Sequence, residues 1–215
     1  SKCIESVEVM RTVILNKGDR IMNHIYPFLV YMDSLYFSMK IQRDGFLEKD
    51  YRGYVTIEGM SVKMEVRFPL CGPVRSVINN RKPDFVELVF VDNQKVGEVI
   101  GERGFTSEII DFLFFPMFLN YYESVKNEIL QITGSPPKFQ SKWTNEVFRM
   151  GWLVRNSLSH NKNISFNDSS SREIKWRGKN INPSNHNEPI YLHLNFIDIF
   201  ILMFDIDDEL NKVLN

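Results

Sequence analysis

The chain has 215 residues, 43% hydrophobic, 25% charged and 13% aromatic, the composition of an ordinary globular protein long enough to bury a substantial core. Its 26 Lys+Arg against 27 Asp+Glu leave a formal net charge of −1, which excludes a uniformly basic nucleic-acid coat and a highly charged disordered tail. Cys3 and Cys71 are too few for a disulfide scaffold or a thiolate zinc cage, and a reducing, cytoplasmic setting is expected.

The opening residues carry Glu5 and Glu8 and lack the basic-then-apolar layout of a signal peptide. From Ile4 to Ile41 apolar residues recur at helical spacing, with Ile21, Ile25, Leu29, Met32, Leu35 and Tyr36 on one stripe. That pattern predicts one or two long helices, started, kinked or ended by Pro27. Between Gly45 and Gly104 the character changes. Tyr54-Val-Thr-Ile-Glu58 and Val62-Lys-Met-Glu-Val-Arg-Phe68 alternate in polarity, and Phe85 to Val91 is rich in β-branched and aromatic residues, so 45–104 reads as a strand-bearing insertion punctuated by loops.

Helical periodicity returns at Thr106, runs through Ile109, Phe112, Phe118, Tyr122, Val125 and Ile129, and stops at Gly134-Ser-Pro-Pro. A third helix is expected from about Ser141 to Leu158, with Trp143, Val147, Met150, Val154 and Leu158 facing inward. Beyond it, Asn161 to Glu188 is dense in Asn, Ser and Gly, with a short strand pair expected around Arg177-Gly178-Lys179-Asn180. Tyr191 to Asn195 alternates in polarity, and Asn195 is placed to cap a last helix through Phe196, Ile199, Phe200, Met203, Ile206 and Leu210. The apolar run Ile190 to Ile206 is interrupted by His193, Asn195, Asp198 and Asp205, so it reads as a buried core element rather than a membrane span.

There is no phosphate-binding glycine loop, no helix with paired metal-binding histidines and no nucleophile elbow. His24, His160, His186 and His193 are scattered, so neither a metal nor a cofactor is expected. Tyr121, Tyr122 and Trp152 have faces on which bases could stack, but at helical spacing they read first as core or dimer-interface residues. His24 and His193 read as structural, and the acidic run Asp205 to Glu209 as a solvated helix face.

The informative segment is Trp152-Leu-Val-Arg155-Asn156-Ser-Leu-Ser-His160-Asn161 at the end of the third helix. Arginine is a permanent cation that holds phosphate oxygens, histidine exchanges protons near neutral pH, and asparagine can orient either. Asn156 and His160 share a helical face at i, i+4, whereas Arg155 lies about 140° round from His160. The pair converges only at a frayed helix end or across a dimer. An arginine and a histidine near a helix C-terminus also complement the dipole and cap carbonyls.

The segment resembles the Arg-x4-His motif of the HEPN superfamily of helical-bundle ribonucleases and nucleotide-binding domains, in the variant with a polar residue, here Asn156, after the arginine. The order of helices, polar loop and Trp-containing strand turn is similar too, from Thr106 to Asn215 together with the first long helix. The resemblance implies a mainly α fold, a single HEPN-like up-and-down helical bundle over 1–215. A partly β insertion at 45–104 would lie between the first two long helices, and the short strand pair would follow the motif helix.

It also implies a metal-independent endoribonuclease that makes a 2′,3′-cyclic phosphate. His160 would be the base, Arg155 would stabilise phosphate charge, and Asn156 would position the phosphate or the histidine. The site would be composite in a homodimer, in a toxin or phage-defence setting with a partner protein that neutralises it. The alternative is a non-catalytic HEPN-like dimer that binds RNA or nucleotide. Residues 138–180 hold a local charge of +6 and residues 188–215 one of −5, so RNA is expected along Lys162, Lys175, Arg177 and Lys179 beside the motif.

Overall fold

The computed structural model describes residues 9–44, 54–58, 62–67, 83–92, 105–134, 143–166 and 172–214, with the side chains of 9–10, 35–44, 54–63, 92, 105–112 and 213–214 outside that description. The chain divides into two compact units, Ser1–Gly104 and Phe105–Asn215. Helix makes up 59% and strand 20% of the interpretable residues, so the fold is helix-rich with small sheets.

The first unit contains β1 (Val9–Asn16), α1 (Arg20–Asp44), β2 (Tyr54–Glu58), β3 (Val62–Arg67) and β4 (Phe85–Asp92). The strands form one antiparallel sheet in the order β1-β4-β3-β2. Its register sets Leu15 opposite Val86, Val66 opposite Leu88 and Met64 opposite Phe90, all buried on one face by the period-2 alternation of strands. On the other face Arg67 donates to Glu65 and Glu87.

The strand-bearing character of 45–104 is as expected, but the sheet also takes in β1. Val9–Asn16 was expected to be helical and is a strand. Val9, Val13 and Ile14 satisfy both a helical and an alternating pattern, and pairing with β4 decides between them. Pro27 neither starts nor ends α1, which runs through it and buries Ile21, Ile25 and Leu29.

The second unit contains α2 (Phe105–Thr133), α3 (Glu146–Ser159), the hairpin β5 (Ile174–Trp176) and β6 (Lys179–Ile181), and α4 (Phe196–Leu214). Helix α2 stops at Gly134, whose φ of +63° suits the left-handed exit from a helix. Helix α3 begins later than the periodicity suggests because Asn145 caps it, its Oδ1 accepting from the amides of Val147 at 2.9 Å and Phe148 at 3.1 Å. The same Asn145 donates through Nδ2 to Glu209 on α4 at 2.7 Å.

Asn195 and Asp198 exchange side-chain-to-amide hydrogen bonds, both 2.9 Å, and start α4 as a reciprocal cap. From Ile197 to Phe204 every residue of α4 is buried, which marks a central helix and agrees with the core reading of this run. The three helices meet at Gly151, where an added Cβ would lie 2.7 Å from Ile206 Cδ1 and 3.1 Å from Tyr122 Cε2. No helix among the described residues is long and apolar enough to cross a membrane.

Candidate functional site

The motif occupies the C-terminal turns of α3. Asn156 is 7% exposed and faces inward, Arg155 is half-buried, and His160 is exposed. His160 stands just outside the helix as its C-cap, its amide donating to the Ser157 carbonyl at 3.1 Å. The chain then reverses through Asn161 and Lys162, two successive non-glycine residues at φ +54° and +65°. Such backbone conformations cost energy and persist where surrounding contacts hold them. Here the Ile164 amide donates to the Glu188 carbonyl and the Ile190 amide to the Lys162 carbonyl, both at 2.8 Å.

The turn puts the Lys162 ammonium 4.7 Å from the centre of the Phe115 ring on α2. Helix α2 is antiparallel to α3: Phe115 lies by the end of the motif, while Tyr122 and Glu123 lie by Trp152 and Arg155.

Arg155 is fixed from three sides. Its Nε donates to Glu123 Oε1 at 2.7 Å, and its Nη2 lies 2.6 Å from the same oxygen. Its Nη1 makes a long 3.4 Å contact with Asn156 Oδ1, and the guanidinium carbon stands 5.3 Å from the centre of the Trp152 ring. Partial burial opposes ionisation of Glu123, but hydrogen bonds from Arg155 and Lys126 outweigh it and hold the carboxyl below its ordinary range.

Tyr121 and Tyr122 are buried core residues, as expected, and Tyr121 Oη donates to the Met203 carbonyl at 2.9 Å. Burial pushes the Tyr122 phenol far above its usual range, which removes it from proton transfer near neutrality.

The basic hairpin has partners of its own. Arg177 donates to Asp205 through Nε at 2.6 Å and Nη2 at 2.9 Å, and the indole N–H of Trp176 reaches the same carboxylate at 2.8 Å. Lys179 pairs with Asp198 at 3.3 Å, and Lys175 with Glu173 at 2.6 Å. Thus the +6 and −5 segments meet in space, and the acidic residues of α4 do not form a purely solvated face. Arg177 and Lys179 bind the hairpin to α4, and only Lys162 of the four expected RNA-binding cations lies beside the motif turn.

Arg149, 2% exposed, does related work by donating to Glu146 and to the carbonyls of Arg172 and Glu173. His193, in the stretch of alternating polarity, does not lie in a strand but follows a 3-10 turn over Ile190–Leu192, and its Nε2 lies 2.7 Å from Glu188 Oε2. Burial holds the other structural histidine, His24, below its usual range.

Sequence reasoning missed Glu123. It lies 32 residues from Arg155, and nothing local to it announces the pairing, which arises only when α2 and α3 pack antiparallel. Among the described residues no cluster of His, Cys, Asp or Glu is arranged to hold a metal ion. Comparison with family models, curated proteins and solved structures finds no match to this chain.

Proposed function

We propose that this chain is a metal-independent endoribonuclease of HEPN type. The observation that carries the reading is the end of α3, where an exposed His160 follows by five positions an arginine that Glu123, Asn156 and Trp152 hold in place. His160 removes the proton from a ribose 2′-hydroxyl, the 2′-oxygen attacks the adjacent phosphorus, and the bond to the 5′-oxygen breaks. Arg155 stabilises the charge that accumulates on the phosphoryl oxygens. The leaving oxygen takes a proton from the imidazolium of a second copy's His160, so two motif helices complete one site in a homodimer. Asn156, being buried, positions Arg155 rather than touching phosphate. Lys162 supplies a further cation beside the turn. The toxin or defence setting, and a protein that neutralises the enzyme, rest on the family resemblance alone.

The Arg155–Glu123 pair also favours a second reading, a non-catalytic dimer that binds RNA or nucleotide, because an arginine so engaged has a structural task already. Incubation with single-stranded RNA in EDTA separates the two. Cleavage by wild type but not by His160→Ala or Arg155→Ala supports the enzyme. Equal cleavage by His160→Ala, or complete dependence on added metal, overturns it. Binding without product, lost in Arg155→Ala, selects the second reading.

A further inference from the structure

Five N–H bonds radiate from a guanidinium, and a phosphate on Arg155 must use those that Glu123 leaves. The Nε and Nη2 edge is closed by Glu123 Oε1. Trp152 lies against the guanidinium, and among the described residues Nη1 is engaged only by the long contact with Asn156. The second carboxylate oxygen of Glu123 accepts from Lys126 Nζ at 3.2 Å, so the carboxylate is held from both ends. An anion arriving at Nη1 therefore meets a guanidinium whose opposite edge carries a fixed carboxylate, so the pull of Arg155 on it is partly offset.

We propose that Glu123 biases the Arg155 site towards the singly charged internal phosphodiester of a nucleic-acid chain, reducing the advantage that the guanidinium alone would give a doubly charged terminal phosphate. The proposal rests on the phosphate-site reading given above and names the feature that directs it to the interior of a strand. A terminal phosphate carries close to two charges above its second pKa of about 6. Repulsion between that extra charge and a carboxylate roughly 6 Å away, at a dielectric intermediate between protein surface and water, cancels about a tenfold share of the guanidinium's attraction for it. Removing the carboxylate charge without changing its shape should restore that share.

The test uses two probes that cannot be cleaved for want of a 2′-hydroxyl nucleophile: a 2′-O-methyl dinucleotide with one internal phosphodiester and free ends, and a 2′-O-methyl nucleoside 3′-monophosphate. Binding at pH 7.5 is followed through the Arg155 Nε–H signal by NMR. Base stacking differs between the probes, so the readout is how the ratio of their affinities changes between variants. Glu123→Gln is expected to shift the ratio about tenfold towards the monophosphate, while Glu123→Asp keeps the wild-type ratio.

An unchanged ratio in Glu123→Gln, with binding that still requires Arg155, rejects the proposal and leaves the phosphate site standing. So does an Asp variant that shifts as far as the Gln variant. If neither probe perturbs Arg155 in the wild type, or both bind Arg155→Ala equally well, the phosphate-site reading falls and the proposal falls with it.

Discussion

Arg177, at the tip of the hairpin, grips Asp205 of α4 in a two-pronged pair, Nε to Oδ2 at 2.6 Å and Nη2 to Oδ1 at 2.9 Å. Bidentate geometry is the form in which an arginine pair is most specific. The tip that presents it is a tight turn with Arg177 at φ +45° and Gly178 at φ +74°, which fits the twist of a two-residue hairpin. Hydrogen bonding to Asp205, opposed by partial burial and aided by the carboxylate's charge, raises the guanidinium above its ordinary range.

Asp205→Ala should therefore destabilise the second unit. Arg177 is 47% exposed on its side chain, so solvent screening leaves that pair a modest share. The lost acceptor for the Trp176 indole weighs more, and a loss of about 1–3 kcal/mol is expected in chemical denaturation. Arg177→Ala should lower stability by less and leave RNA affinity nearly unchanged. A large loss of RNA affinity at full stability would return Arg177 to the phosphate-binding residues.

Arg149→Ala should be the more damaging change. It removes a buried cation and leaves the Arg172 and Glu173 carbonyls without that donor. A loss of about 3 kcal/mol is expected from breaking such a network, read from the urea midpoint.

Gly151→Ala tests the packing of the three helices. Alanine improves helix propensity by about 1 kcal/mol, whereas forcing the Ile206 and Tyr122 contacts apart costs about 1–3 kcal/mol. The net effect should be a loss of stability. A gain would mean that Ile206 Cδ1 moves aside freely.

His160→Ala and Arg155→Ala should each reduce RNA cleavage by about 10²–10⁴-fold, the former leaving the thermal midpoint close to wild type and the latter lowering it modestly because Glu123 and Trp152 lose their partner. Initial rates and melting curves on the same preparations provide the comparison.

Glu188 anchors the strip that pairs with the motif turn. Hydrogen bonds from His193 and then Asn185 hold its carboxyl below the ordinary range. A carboxyl lowered on folding contributes stability that is fully present above its unfolded value of about 4.3 and is lost as pH falls through the lower folded value. The protection of the Ile164 amide, its exchange rate corrected for the intrinsic pH dependence, should fall across that acidic window in wild type. In Glu188→Gln that fall should be absent, and its persistence would show that another group controls the strip.

Much of the second unit was legible in the sequence because its signals are local. Gly134-Ser-Pro-Pro ends α2, Asn195 begins α4, and Arg177-Gly178 turns the hairpin, each through the backbone chemistry of one or two residues. The strands of 54–67 and 85–92 announced themselves by alternation and β-branching. Relations set by packing were not legible. Strand β1 needed β4 to reveal it, since Val9 to Leu15 fits either period. Glu123 needed an antiparallel neighbour, and the salt bridges of the hairpin needed α4 beside it. Counting charge along the chain located a basic segment but could not show that Asp198 and Asp205 stand opposite it.

The burial of α4 on every side from Ile197 to Phe204 bears on how the protein is made. Helices α2 and α3 leave the ribosome first, yet the surface against which they close, from Ile197 to Leu210, is translated last among the described elements. Domains fold as units once their chain has emerged. Arg155 and His160 therefore gain their fixed setting only after α4 has emerged and closed on α2 and α3, so the motif helix alone does not make the site.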